Sequence, residues 1–298
     1  MLSKRTDLAV EAKQLFEESA GKTTQLPGVK AKDYERSGFA VTSVEILDSR
    51  GSEALGKPVG DYRTVSVAPS RDAAEFSRAV ECLGKELATL ISDLPPDAPV
   101  LVALLGNAGI TPDAVGPETA GNIFVTRHLR SASPQFQSLR PVSAVCTGVL
   151  GTTGLESSEL IRAAAESVKP AMVIAVDALV ARSFTRLCKS VQLSDSGIVP
   201  GSGVGNHRGA LTRESLGVPV IVVGVPTVID AATMAADLLK DSGAGSCEPK
   251  ELKDDGGLIV TTRDIDSEVK LFGRMLGYAI SLALQPGLTQ ADLTALLA

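Results

Sequence analysis

Extended apolar runs and helical stripes take turns along this chain, and that alternation limits the fold more than any other feature. The run from Val218 to Val223 is rich in β-branched residues, as strands covered on both faces are; Val100 to Leu105, Val142 to Val145 and Met172 to Val176 read the same way. Between them, Phe76, Ala79, Val80, Leu83, Leu87, Leu90, Ile91 and Leu94 fall on one helical stripe that Pro95-Pro96 stops. Thr153 with Glu156 gives a capping-box signal for a helix carrying Leu160, Ile161, Ala164 and Val168. Gly121 to Leu129 reads as helical, and Pro226-Thr227 predicts a helix start running through Met234 and Leu238. A closing helix carries Val269, Phe272, Met275, Leu276, Ala279 and Ile280, and the Gly-rich, charged stretch 242–257 before it predicts an exposed loop. The expected fold is α/β, a mostly parallel sheet covered by helices on both faces.

Composition narrows the function classes. A chain of 298 residues can bury a sizeable core, and 44% hydrophobic with 3% aromatic makes that core aliphatic. The net charge of −6 and the lack of a basic run argue against direct nucleic-acid binding. Cys82, Cys146, Cys188 and Cys247 are widely spaced and form no CxxC pair, which points to a reducing compartment and away from disulfides or a zinc site. Charge precedes any apolar stretch at the N-terminus, and no uncharged run approaches the roughly 18 residues of a membrane span. A cytoplasmic protein without membrane contact is expected.

Two of the extended runs deliver an aspartate: Leu101 to Leu105 lead towards Thr111-Pro112-Asp113, and Met172 to Val176 run into Asp177. In open α/β sheets ligands bind beyond the carboxyl ends of the strands, so both acids are expected on one rim, where a partly dry site tunes a carboxyl group for proton transfer. Aspartate after a strand is also a common turn former and N-cap, and pattern alone leaves both readings standing. Ser194 to Asn206 is the most unusual local composition in the chain. Gly201 and Gly203 lack the third glycine of a dinucleotide loop, and no Gly-Lys-Ser/Thr follows. With Gly205 and Asn206 they can expose backbone amides to a carbonyl or let an extended peptide lie close, or they form a plain turn. Asp195-Ser196-Gly197 imitates the signature of pepsin-like proteases once, without a second copy or an all-β pattern around it. His128 and His207 are the only imidazoles, and neither sits in a nucleophile elbow or zinc helix.

Taken together, Arg5 to Ala12 (Arg-Thr-Asp-Leu-Ala-Val-Glu-Ala), Thr111 to Pro117, Thr126-Arg127-His128-Leu129, Asp177-Ala178-Leu179 with Ala181-Arg182-Ser183, and Ser194 to Asn206 resemble the germination proteases of spore-forming bacteria. The resemblance covers nearly the whole chain. It implies an endopeptidase degrading small acid-soluble spore proteins in the spore core, a fold similar to hydrogenase maturation proteases, a homotetramer, and no cofactor or metal. It places the catalytic acids at Asp113 and Asp177; substrate contact is expected at Gly201, Gly203, Gly205 and Asn206 from the backbone reading above. Residues 1–7 become a propeptide and 8–298 a single peptidase domain, because family substrates are cut between an acidic residue and a hydrophobic one preceding alanine, as in Asp7-Leu8-Ala9. Two places depart from the family pattern: 242–257 is short, and His207 stands where lysine is expected. A metal-dependent maturation-type peptidase using Asp113 and Asp177 as ligands, and a non-enzymatic α/β binding module, remain as alternatives.

Overall fold

The structure, a computed structural model, describes residues 6–20, 26–200, 209–241 and 258–298. Its strands are β1 Val29–Arg36, β2 Phe39–Ile46, β3 Gly60–Ser66, β4 Val100–Leu105, β5 Val142–Gly148, β6 Met172–Ala181, β7 Ser190–Ser194, β8 Val220–Asp230 and β9 Ile259–Val260. Its helices are α1 Ala9–Ala20, α2 Ser49–Leu55, α3 Ala73–Leu90, α4 Val115–Ala120, α5 Leu129–Ala132, α6 Leu150–Thr153, α7 Ser157–Val168, α8 Arg213–Leu216, α9 Ala231–Asp241, α10 Ile265–Leu284 and α11 Gln290–Leu296. The strands form one sheet in the order β1-β2-β3-β7-β8-β6-β4-β5, with β9 paired to the end of β8.

The continuous apolar runs become its buried centre. Alternate residues of β4 and β6 serve opposite faces: Val102, Leu104, Ile174 and Val176 pack with α3 and α10, while Leu101, Ala103, Val173 and Ala175 pack with Ile161 of α7. Helices thus cover both faces, as the alternation predicts. The balance of pairings differs from the expected one, because parallel pairing is confined to β5-β4-β6-β8 and the remaining pairs are antiparallel. The antiparallel part begins with a hairpin. Ser37 and Gly38 both take positive φ between β1 and β2, the backbone that two-residue hairpin turns require. Most of β1 is exposed, so its sequence carries little of the apolar pattern that reveals a strand.

Three elements differ from the sequence expectation for identifiable reasons. β8 continues through Pro226 and Thr227 instead of giving way to a helix; the register shifts beside Pro226, where a strand tolerates a residue with no N–H to give. Residues 121–128 are not helical, because tertiary partners take their polar groups: Phe124 donates to Ser281 Oγ, Thr126 and Arg127 donate to the Val142 carbonyl, and the Thr126 hydroxyl donates to the Arg140 carbonyl. α7 begins at Ser157, with Glu159 accepting from the Glu156 amide at 3.1 Å, while Thr153 closes the short α6 before it. Among the described residues no helix is long and apolar enough to cross a membrane, and Cys82, Cys146 and Cys188 are free thiols.

Candidate active site

β4 ends at Leu105, one residue short of a sharp reversal. Gly106 has φ +113, and a Cβ there would lie 1.9 Å from the Asp113 carbonyl oxygen, so only glycine lets the returning chain close on the strand end. The Asn107 amide then donates to both the carbonyl and Oδ2 of Asp113, at 3.1 and 2.9 Å. Thr227 on β8 fixes the turn from the far side by donating from its hydroxyl to the Pro112 carbonyl at 2.6 Å. Asp113 is therefore held half-buried on a short 3₁₀ turn, and α4 starts directly behind it.

Asp177 arrives differently. The last rung between β4 and β6 is Leu104 with Val176, so Asp177 is the first β6 residue beyond that pairing, although β6 itself runs on along β8 to Ala181. Its side chain is nearly buried, and Oδ1 accepts from the Ala178 amide at 2.9 Å. Asp113 and Asp177 line the same cavity, of about 920 Å³, together with Asp7, Lys57, Gln192 and Ser196. The two acids that strand topology selects are thus brought to one rim.

The N-terminal segment occupies the β6 edge that β4 leaves open. Asp7 pairs with Val180 twice: its amide donates to the Val180 carbonyl at 2.9 Å, and its Oδ2 accepts from the Val180 amide at 2.8 Å. Further along, Glu11 accepts from the amides of Arg182 and Ser183 at 2.7 and 3.0 Å. Gln192 on β7 holds the segment from below, donating to the Asp7 carbonyl at 3.1 Å and accepting from the Ala9 amide at 2.8 Å. Leu8 is fully buried and packs with Val10, Leu179 and Ile198. Lys57, in the turn after α2, donates to the Thr6 carbonyl at 2.8 Å. Burial pushes the Asp7 carboxyl above its usual 3.8, against the opposing pull of the Lys57 ammonium and the Val180 amide. The same desolvation lowers Lys57 from its usual 10.5, opposed by the charges of Asp7 and Glu11.

Gly201, Gly203, Gly205, Asn206, His207 and the stretch 242–257 lie outside the described residues; the chain enters the glycine-rich segment from Ser196 to Pro200, all of which line the cavity. His128 is exposed at the start of α5 and does not line the cavity. Among the described residues no three His, Cys, Asp or Glu side chains come together as a metal site would need. Sequence reasoning passed over Lys57 and Gln192. Gln192 left a trace, as a polar residue in an otherwise buried strand; Lys57, between Gly56 and Pro58, left none.

The model of the germination protease family matches residues 9–243. The chain is 42% identical over 327 aligned positions to the germination protease of Caldanaerobacter subterraneus, covering 100% of this chain and 99% of that protein. It is 36% identical to that of Clostridium perfringens, covering 98% of each. Against that of Bacillus cytotoxicus it is 45% identical over 241 positions, 79% of this chain and 65% of the relative.

Proposed function

The chain belongs to the germination protease family, and from that premise we propose that it is an endopeptidase of spore germination that hydrolyses small acid-soluble spore proteins with Asp113 and Asp177. The observation that carries this reading is the shared cavity: two carboxylates line it together, with the chain's own Asp7 beside them. One carboxylate takes a proton from water as the water oxygen bonds to the scissile carbonyl carbon. The other, protonated, gives its proton to the nitrogen as the C–N bond breaks, so the pair ends with its proton exchanged between partners and no covalent intermediate forms. Such a pair titrates as a unit.

The chain is read as a zymogen cut between Asp7 and Leu8, which leaves residues 8–298 as the peptidase domain. Support comes from Asp7, which lines the same cavity as the two acids and has its carbonyl held by Gln192. The mature enzyme is taken to be a homotetramer in the spore core, acting on proteins released from DNA without touching DNA itself. Incubation with a purified small acid-soluble spore protein tests the function: cleavage after acidic residues is expected, and an intact substrate after prolonged incubation with processed enzyme would sink it. N-terminal sequencing tests the processing, where an active chain still starting at its original residue contradicts the zymogen. Sedimentation at micromolar concentration tests the tetramer, with a monomer as the contrary result.

A further inference from the structure

We propose that Thr227 is a positioning residue of this cleft: it holds the Asp113 turn in place relative to Asp177, an assignment that rests on the protease reading above. Its basis is an irregularity in β8. The parallel ladder between β6 and β8 runs from Val173 with Val220 to Leu179 with Pro226, and resumes at Val180 with Val228. Thr227 is the residue the ladder skips. It therefore forms a bulge, a device rare in parallel pairs and frequent beside active sites, where it re-aims a side chain. Other segments take up the loosened backbone: the Cys188 amide donates to the Pro226 carbonyl at 2.8 Å, and the Thr261 hydroxyl donates to the Thr227 carbonyl at 2.7 Å. The side chain itself is completely buried and turned towards the Asp113 loop, where its hydroxyl donates to the Pro112 carbonyl at 2.6 Å.

That carbonyl belongs to the peptide plane that opens onto Asp113. The plane is held at both ends, its oxygen by Thr227 and its N–H by the Ile110 carbonyl at 2.8 Å, so as a rigid unit it cannot swing. The bonds from Ile110 and Asn107 come from the loop that carries Asp113, and they set the shape of the turn. Thr227 comes instead from β8, the strand whose Gly224 forms a rung with Asp177. One strand thus grips both acids, Asp177 through the ladder and Asp113 through a side chain a short step further along. Room for Pro226, which has no N–H to give, explains the shift in register, but not a buried hydroxyl aimed at the peptide before the acid.

The test is steady-state cleavage of a purified small acid-soluble spore protein by full-length protein allowed to complete its own processing, in wild type, Thr227→Val and Thr227→Ser. Valine keeps the branched shape without the donor, and serine keeps the donor. Thr227→Val is expected to lower kcat by about 10- to 100-fold with KM unchanged, as misplacement of a reacting group does, and Thr227→Ser to recover most of the loss. A hydroxyl that served stability alone would lower the melting temperature and leave the kcat of the folded protein in place. Near wild-type kcat in folded Thr227→Val, or a Thr227→Ser as slow as Thr227→Val, therefore overturns the proposal. If Thr227→Val does not fold, Thr261→Val, which frees the bulge carbonyl, takes its place: a lower kcat at constant KM upholds the proposal and an unchanged one overturns it. Should wild type leave the substrate intact, the protease reading fails, and positioning is decided by hydrogen exchange at the Asn107 amide, which donates to the carbonyl and the carboxylate of Asp113. Faster exchange in Thr227→Val than in wild type and Thr227→Ser upholds the hold on the turn, and equal exchange in all three proteins removes it.

Discussion

Asp7 is a carboxylate that folding moves out of water, and its linkage to pH follows from the direction of its shift. Its folded pKa lies above its usual 3.8, so the docked segment is held most firmly below that value and loosens as pH rises through the folded one. Lys57 is lowered instead, chiefly by desolvation, so its linkage to pH has the opposite sign. Hydrogen exchange at Val180, corrected for intrinsic rates, is therefore expected to show less protection as pH climbs from acid to neutral. Asp7→Asn, which keeps an acceptor for the Val180 amide without the charge, should flatten that dependence. A steep dependence surviving in Asp7→Asn would assign the effect elsewhere. For the two rim acids the expectation is loss of chemistry without loss of fold. Asp113→Asn and Asp177→Asn each remove a group that can trade protons at neutral pH, and each should lower turnover by about 10²- to 10⁴-fold with an unchanged circular dichroism spectrum. A folded variant close to wild-type turnover would remove that residue from the pair.

Between residues and the molecule lie the elements, and one charge cluster ties several of them together. Glu86 of α3 is completely buried; its Oε1 lies 2.7 Å from Arg36 Nε of β1, and its Oε2 meets Arg63 of β3 at 3.1 Å and accepts from the Tyr34 hydroxyl at 2.8 Å. Burial and this bond push the Tyr34 phenol up to about 12, so whatever it adds to stability is kept below pH 10 and lost towards 12. Glu86→Ala leaves two guanidinium groups facing an empty site, and a loss of about 3–5 kcal/mol in denaturant unfolding is expected, with catalysis intact while the chain stays folded. A change under 1 kcal/mol would show the cluster to be incidental. The elements also show where a single sequence speaks and where it is silent. β4, β6 and β8 were legible because both their faces are buried and their residues are apolar throughout. The hairpin of β1 and β2 was not: one strand is largely exposed, and its pairing is written in Ser37-Gly38 backbone angles more than in hydrophobicity. Pro226 misled because a proline after an apolar run usually starts a helix, whereas a register shift lets this one stay in the sheet.

At the scale of the whole molecule, the candidate site was legible in two acids that line one cavity and hidden in its walls. Asp113 and Asp177 stood out because strand ends are where α/β sheets bind ligands, a rule of topology that sequence order alone can apply. Lys57, Val180 and Gln192 come from three distant stretches of chain, and a backbone amide has no sequence signature at all. Their convergence follows from a strand that outruns its neighbour: β6 continues past the last rung of β4, and residues 6–11 fill the vacated edge. If the proposed processing removes the chain up to Asp7, the Val180 amide and carbonyl lose their partners, and a peptide that settles there supplies them again. Substrate then becomes a stabiliser, and mass action sets the scale: a non-cleavable peptide at a hundred times its dissociation constant is worth about 2.7 kcal/mol to the folded state. A melting temperature that climbs with peptide concentration in the processed protein, and far less in the full-length chain whose own N-terminus already lies there, is the calorimetric mark of a protease that is mended by what it cuts.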